Sequence, residues 1–186
     1  MKFNYMKIIR SRFKFLLTFL FLGIIIGIVV YLKCTQDIKN NIDLTLATTI
    51  NNIGDVKQNH ILIHLLIISL IIILSSFIVG FVPLTIYYIY EGASIGFLFS
   101  ALLHYKNIKG IYYFLVFTIT NKLIYLILLS YIFYLTYKYI KIFINNHYKI
   151  VNLNGYMLRT SITLLIILLN DIFLYYYGNK IIAIFI

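Results

Sequence analysis

Long uncharged apolar runs separated by short charged segments dominate the sequence. Most of these runs approach the ~20 residues that an α-helix needs to cross the hydrocarbon core of a bilayer. The pattern predicts an all-α, polytopic integral membrane bundle that forms a single domain over residues 1–186. Five transmembrane helices are predicted, at about residues 13–32, 61–82, 84–103, 111–135 and 162–177.

The first run follows a basic segment, a combination that also begins a secretory signal peptide. No small-x-small cleavage site follows the run, and Lys33 stands before Cys34, where a lipoprotein would have a small residue. We therefore interpret the run as the first transmembrane helix, with its N-terminus in the cytoplasm. As the chain has only one cysteine, it cannot form an internal disulfide.

Residues 33–59 form a polar segment that is predicted to be an extracytoplasmic loop. Apolar side chains recur within it at helical spacing, which predicts a short amphipathic helix. Such a helix could lie on the outer membrane surface or cover a partner, and the alternative is an ordered connector that packs on the bundle. The recurring residues are Ile38, Ile42, Leu46, Ile50 and Ile53.

Pro83 divides a long apolar run into the second and third helices. Because proline removes a backbone donor, its presence in a membrane segment indicates a turn or a close helix contact. With no charge between His64 and Glu91, the turn should be short and cytoplasmic. Tyrosines at 87–90 suggest an alternative in which this segment is re-entrant.

Small residues four apart mark the predicted packing faces, since they let helix backbones approach closely. Residues 92–96 read Gly-Ala-Ser-Ile-Gly, which also matches the nucleophile elbow of hydrolases. We reject the elbow because it needs a strand entering a sharp turn, whereas this motif has apolar helix on both sides. The predicted packing residues are Gly23, Gly27, Gly80, Pro83, Gly92, Gly96 and Gly110.

Four polar residues, Glu91, Asn121, Lys122 and Asp171, fall inside the predicted spans. Ionisable side chains in a bilayer are functional candidates by default. Glu91 and Lys122 lie at similar depths in a hairpin of the third and fourth helices, so they are predicted to pair. Asp171 is the alternative partner for Lys122.

Composition and charge support the membrane assignment. The chain is 62% hydrophobic and 11% charged, which excludes a soluble globular domain. The net charge of +11 does not indicate nucleic-acid binding, because the basic residues punctuate the apolar runs. Under the predicted topology, nine basic residues lie on the cytoplasmic side and six on the extracytoplasmic side, the excess that the positive-inside rule requires. The nine are Lys2, Lys7, Arg10, Arg12, Lys14, Lys138, Lys141, Lys149 and Arg159, and the six are Lys33, Lys39, Lys57, Lys106, Lys109 and Lys180. The cytoplasmic loop is predicted at 136–160.

The sequence offers little for catalysis. It has no H-E-x-x-H motif and no adjacent carboxylates, so no catalytic, cofactor-binding or metal-binding residues are predicted, and the chain is not expected to be an enzyme. His60 and His64 stand one turn apart and could share a metal with Asp55. The favoured interpretation is that they occupy the polar end of a helix.

The central stretch carries a resemblance to a known family. Its residues Gly80, Pro83, Gly92, Gly96, Phe97, Lys109 and Gly110 occur in the family's order and at about its spacing. By these residues the chain resembles the stage II sporulation protein M family, multi-pass membrane proteins of spore-forming bacteria. It departs from that pattern at Glu91, where a basic residue is expected, and at 120–122, where a proline-containing segment is expected.

The resemblance implies a non-catalytic scaffold in the bacterial cell membrane. Such a protein would act in engulfment of the forespore, where it would recruit or position the enzymes that remodel septal peptidoglycan. Its expected partners are the lipid bilayer and membrane-anchored cell-wall hydrolases, with no cofactor and no nucleic acid. A homo-oligomer is left open, because the glycine faces could pack within or between chains. The alternative function is a small transport component that uses Glu91, Lys122 and Asp171 as a polar path.

Overall fold

The computed structural model describes residues 3–51, 59–77, 82–145 and 153–178. In these ranges the fold is all-α, as predicted from the sequence. The helices are α1 (Phe3–Lys33), α2 (Gln36–Asn51), α3 (Asn59–Phe77), α4 (Val82–Lys106), α5 (Ile108–Thr118), α6 (Ile124–Asn145) and α7 (Leu153–Phe173). Two π-helical segments, Ile119–Leu123 and Leu174–Gly178, continue α5 and α7.

Four of these helices are long and apolar enough to cross a membrane, which supports a membrane protein. The candidate spans are Leu16–Lys33, Val82–Lys106, Ile124–Phe143 and Leu153–Tyr177. The predicted second span lies on α3, whose described apolar part, Ile63–Ser75, is shorter than a span. The described residues therefore give four candidate spans, where the sequence predicted five.

Several helices extend beyond their predicted ends. α1 begins at Phe3 and α4 ends at Lys106. α6 extends into the predicted loop 136–160 and ends at Asn145. α7 begins at Leu153, also inside that loop. Hydropathy marks only the apolar part of a helix, whereas lysine and arginine are good helix formers, so a helix need not end at the membrane surface.

Unit 1 is the first of two compact units of the chain, and it comprises Met1–Asn51 and Thr85–Phe114. It contains α1, α2, α4 from Thr85 onward and the first part of α5. The helix predicted within loop 33–59 is present as α2, which begins directly after the turn at Cys34 and Thr35.

The turn between α4 and α5 is very short. Asn107 alone separates the two helices and has a φ of 52°, a left-handed conformation that asparagine tolerates better than most residues. Three residues later Gly110 packs on the α4 backbone at Leu102, where a Cβ would lie within 3.0 Å of the Leu102 carbonyl group and Leu103 N. The predicted turn at 104–110 is thus mostly helical.

Unit 2 comprises Asn52–Leu84 and Leu115–Ile186. In it α3, α6 and α7 each pack on the other two, and the two π-helical segments pack on each other. The core is filled by Ile68, Leu129, Ile132 and Ile167, which are almost fully buried. α7 runs antiparallel to α3 and α6, because its end meets the start of α3 and its beginning meets the end of α6.

Candidate functional site

The closest helix contact in unit 1 is a glycine seam, which we define as Gly23 and Gly27 of α1 against Gly92 and Gly96 of α4. A Cβ built on any of these glycines would come within 3.0 Å of backbone atoms of the other helix. Real Cβ atoms essentially never approach so closely, and backbone cannot move aside as a flexible side chain can. Only a hydrogen atom fits at these four positions.

The glycine seam has a reciprocal register. Cβ atoms on Gly23 and Gly27 would meet the carbonyl oxygens of Ile89 and Ala93. Those on Gly92 and Gly96 would meet the carbonyl oxygens of Leu20 and Ile24. Each glycine therefore points a Cα–H group at the carbonyl three residues before its counterpart, a weak hydrogen bond that recurs at helix–helix interfaces. Because 23 matches 92 and 27 matches 96, α1 and α4 run parallel.

A polar cluster fastens α2 to the C-terminal ends of α1 and α4. His104 Nδ1 of α4 lies 3.2 Å from Asp43 Oδ2 of α2. Tyr31 of α1 is 2% exposed and packs edge-on against both Phe97 and His104. Lys39 Nζ of α2 lies 5.6 Å from the centre of the Tyr31 ring and 3.4 Å from the Leu32 carbonyl oxygen. We call Tyr31, Lys39, Asp43 and His104 the α2 latch.

Two atoms of the α2 latch are buried without a hydrogen-bond partner, Tyr31 Oη and Asp43 Oδ1. A buried hydroxyl or carboxylate oxygen normally has a partner, because leaving it unpaired costs about 1–3 kcal/mol. The contacts of Asp43 and Lys39 with His104 and Tyr31 orient α2 in unit 1.

Unit 2 contains a second polar cluster, built by three of its helices. His64 Nδ1 of α3 lies 2.9 Å from Asp171 Oδ2 of α7, and both side chains are partly buried. The His64 ring lies 5.0 Å from the ring of Tyr125 on α6. Lys122 Nζ, from the first π-helical segment, lies 5.8 Å from the centre of the Tyr125 ring. A carboxylate, an imidazole, a phenol ring and an ammonium are therefore arranged in series.

The opposite end of unit 2 is held by an aromatic contact between α6 and α7. Tyr139 and Tyr156 stack with their ring centres 4.5 Å apart, and Thr136 Oγ1 lies 3.0 Å from Tyr156 Oη. Thr136 is completely buried. Tyr139 lies 14 residues after Tyr125 on α6, roughly 21 Å along the helix, so this contact and the polar cluster hold opposite ends of the α6–α7 pair.

The predicted polar residues fall in different places. Glu91 is buried in unit 1, with 3% exposed, while Lys122 and Asp171 belong to the cluster of unit 2. Asp171 contacts His64, which the sequence assigned only to a polar helix end. The pairing of Glu91 with Lys122 stays a prediction. Asn121 lies in the first π-helical segment, but its side chain is outside the described residues.

The remaining predicted packing residues are Gly80 and Pro83. Gly80 lies outside the described residues. Pro83 is the second residue of α4, in the first turn of the helix, where the missing N–H has no intrahelical partner in any case. The predicted turn before the third helix therefore ends at or before Val82.

Sequence reasoning missed Tyr31, Asp43, His104 and Tyr125 as site residues. His104 and Asp43 lie 61 positions apart, and no spacing rule connects residues at that separation. A signal was present for Asp43, because an acidic residue on an apolar helix face between Ile42 and Leu46 is unusual.

Within the described ranges no group of three or more His, Cys, Asp or Glu residues is placed to hold a metal ion. Of the other two candidate ligands, Asp55 lies outside those ranges, and only the backbone of His60 is described. The chain matches no protein-family model, no curated protein and no solved structure.

Proposed function

We propose that this chain is a non-catalytic, multi-pass scaffold of the bacterial cell membrane that acts in sporulation. In this proposal it belongs with the engulfment machinery and positions peptidoglycan-degrading enzymes at the septum. The observation that carries the proposal is the glycine seam. Gly92 and Gly96 pack directly against the backbone of α1. Both belong to the residues that carry the resemblance to the stage II sporulation protein M family.

This use of the shared glycines favours a structural role over a chemical one. Gly110, another residue of the resemblance, also packs on backbone, at Leu102. Three of the shared positions thus bring helices together, and none of the three presents a reactive group. A scaffold needs a fixed arrangement of helices, which close backbone contacts provide.

The parallel register of the glycine seam supports a topology of five spans. Leu16 precedes Gly23 by as many residues as Thr85 precedes Gly92. Leu16 and Thr85 therefore lie at the same level along the two parallel helices. Leu16–Lys33 has 18 residues and is roughly 25 Å long. The chain leaving α1 at Lys33 must cover this distance in the opposite direction before it enters α4.

α3 is the described helix that can make this return. The α2 latch keeps α2 at the end of α1, whereas α3 has 19 residues and a strongly apolar sequence. We therefore propose that α3 is the second of five spans. Its predicted bounds, residues 61–82, would give it the length of a span, and the C-terminus would then lie outside the cell.

Under this topology α2 lies on the extracytoplasmic side, where cell-wall hydrolases act. The α2 latch holds one face of α2 against unit 1, and the other face is exposed, with Leu44 66% exposed beside Asn40 and Asn41. An ordered helix with an apolar residue inside a polar face is a suitable contact for a protein partner. We propose this face of α2 as the surface that the hydrolases contact.

Co-purification tests the proposal. The tagged chain, extracted in mild detergent from sporulating cells, should recover cell-wall hydrolases, and Leu44→Glu should reduce their recovery. Asn40→Asp is the control, because it adds a negative charge beside Leu44 and keeps the leucine side chain. Lys39→Glu is unsuitable, because Lys39 is part of the α2 latch. Equal recovery of hydrolases with wild type, Leu44→Glu and an unrelated membrane protein would contradict the proposal.

A transport component is the second candidate, and the polar cluster of unit 2 favours it. His64, Lys122 and Asp171 place three ionisable groups close to long apolar stretches of unit 2. Purified protein in liposomes should then produce a proton or solute flux that Asp171→Asn abolishes. Liposomes with no flux beyond the empty control, together with recovered hydrolases, would leave the scaffold as the function.

A further inference from the structure

The His64–Asp171 pair belongs to the polar cluster of unit 2, and its geometry does not depend on whether the chain moves a solute. Its 2.9 Å separation is in the range of charge-assisted hydrogen bonds. His64 is the first described polar side chain of α3, and the residues after it are apolar up to Ser69. On α7 six apolar residues, from Leu164 to Leu169, precede Asn170 and Asp171. The pair therefore stands at the edge of an apolar contact between α3 and α7.

In such surroundings a carboxylate favours the protonated form of a neighbouring imidazole. An ionised carboxylate in an apolar helix contact is costly unless a positive charge compensates for it. The imidazolium form of His64 supplies that charge and donates its Nδ1–H to Asp171. The neutral form can donate the same hydrogen bond but leaves the carboxylate charge uncompensated by its nearest partner.

The His64 ring also contacts Tyr125 of α6, which in turn contacts Lys122 of the first π-helical segment. The Tyr125 ring lies against the imidazole, and this tyrosine is 2% exposed. Lys122 lies on Tyr125 and adds a positive charge at greater distance. That ammonium disfavours a positive charge on His64, so Asp171 is the group in the cluster that favours the imidazolium form.

We propose that His64 and Asp171 form a proton-binding site, and that the bound proton strengthens the contact between α3 and α7. Imidazole is the side chain that ordinarily changes charge between pH 5 and 8. Of the groups in the cluster, His64 is therefore the one that responds in this range. The two π-helical segments that pack on each other beside the pair carry an extra residue per turn, a feature frequent at functional sites. Protonation would thus be coupled to the contact among three helices.

Nitrogen NMR of histidine-labelled protein in lipid nanodiscs tests the proposal directly. The chain has four histidines, and loss of one signal in His64→Asn assigns His64. Between about pH 5 and pH 8 the His64 signal should change from imidazolium to neutral imidazole. Asp171→Asn, which keeps the shape and removes the charge, should reduce the imidazolium share of the His64 signal at a given pH.

Thermal unfolding provides the second measurement and a matched control. Asparagine at 64 can still donate to Asp171 but cannot bind a proton, so wild type should exceed His64→Asn in stability more at about pH 5 than at about pH 8. His104→Asn, in the pair of unit 1, should leave the His64 signal unchanged. A His64 imidazole that is neutral throughout, or a change unaffected by Asp171→Asn, would overturn the proposal.

Discussion

At the scale of single residues, the four glycines of the seam stand at tightly constrained positions. Glycine is a poor helix former, and replacing it with alanine inside a helix ordinarily gains about 0.5–1 kcal/mol. At Gly96 the Cβ of alanine would meet the backbone of Ile24 instead. The close approach of two backbones therefore explains why glycine is used at all four positions.

Gly96→Ala should destabilise unit 1 by about 1–3 kcal/mol, because overpacking against backbone exceeds the gain in helix propensity. Ser94→Ala lies on the same helix at an exposed position and should change stability little. Reversible unfolding in mixed micelles measures both variants. A stabilised Gly96→Ala protein would contradict the glycine seam, since helix propensity alone predicts that sign.

The buried hydroxyl contact of unit 2 gives a second prediction at this scale. Tyr156→Phe removes the group 3.0 Å from Thr136 Oγ1 and should cost about 1–3 kcal/mol. Thr136→Val removes the other hydroxyl and keeps the shape. If the two hydroxyls bond to each other, the double variant should lose less stability than the two single losses together. Strictly additive losses would show that they act separately.

At the scale of helices, the α2 latch decides whether α2 is part of unit 1 or a free amphipathic segment. Apolar periodicity predicted the helix, but it could not predict what holds it. Tyr31, Asp43 and His104 meet through contacts between positions far apart in sequence. The seam was likewise only half predictable, because a G-x-x-x-G pattern marks a packing face without naming the face it meets.

Asp43→Ala should loosen α2 without disturbing the glycine seam. The Asp43 and His104 side chains are partly exposed, so the interaction should be worth only about 0.2–1 kcal/mol. Amide hydrogen exchange in α2 should accordingly become up to about fivefold faster, while exchange in α1 near Gly23 stays unchanged. Asp37→Ala, at an exposed position of the same helix, provides the control. Equal exchange in both variants would argue against the latch.

At the scale of the whole chain, the helical class and most of the apolar helices could be predicted from hydrophobic runs alone. The extended ends of α6 and α7 could not, because Tyr139 and Tyr156 stabilise them through a contact between two helices. The polar cluster of unit 2 was partly predicted: Lys122 and Asp171 were identified from their positions in apolar sequence. That His64 is their neighbour could not be predicted, because this contact depends on the antiparallel packing of α3 and α7.

Reporter fusions test the proposed five-span topology. A reporter fused after Ile186 should be active only outside the cytoplasm, and one fused near Lys149 only inside. A fusion at residue 80, between α3 and α4, should report the inside if α3 crosses the membrane. A residue-80 fusion active outside would leave α3 out of the membrane and contradict the return path inferred from the parallel α1 and α4.

The central claim is that the chain is a scaffold of engulfment, and deletion of its gene in the source organism tests this most directly. Time-lapse microscopy of sporulating cells with a membrane dye would follow the septal membrane around the forespore. We predict that engulfment stops early, that the wild-type gene restores it, and that Gly96→Ala restores it less well than Ser94→Ala. Normal engulfment in the deletion strain would contradict the claim.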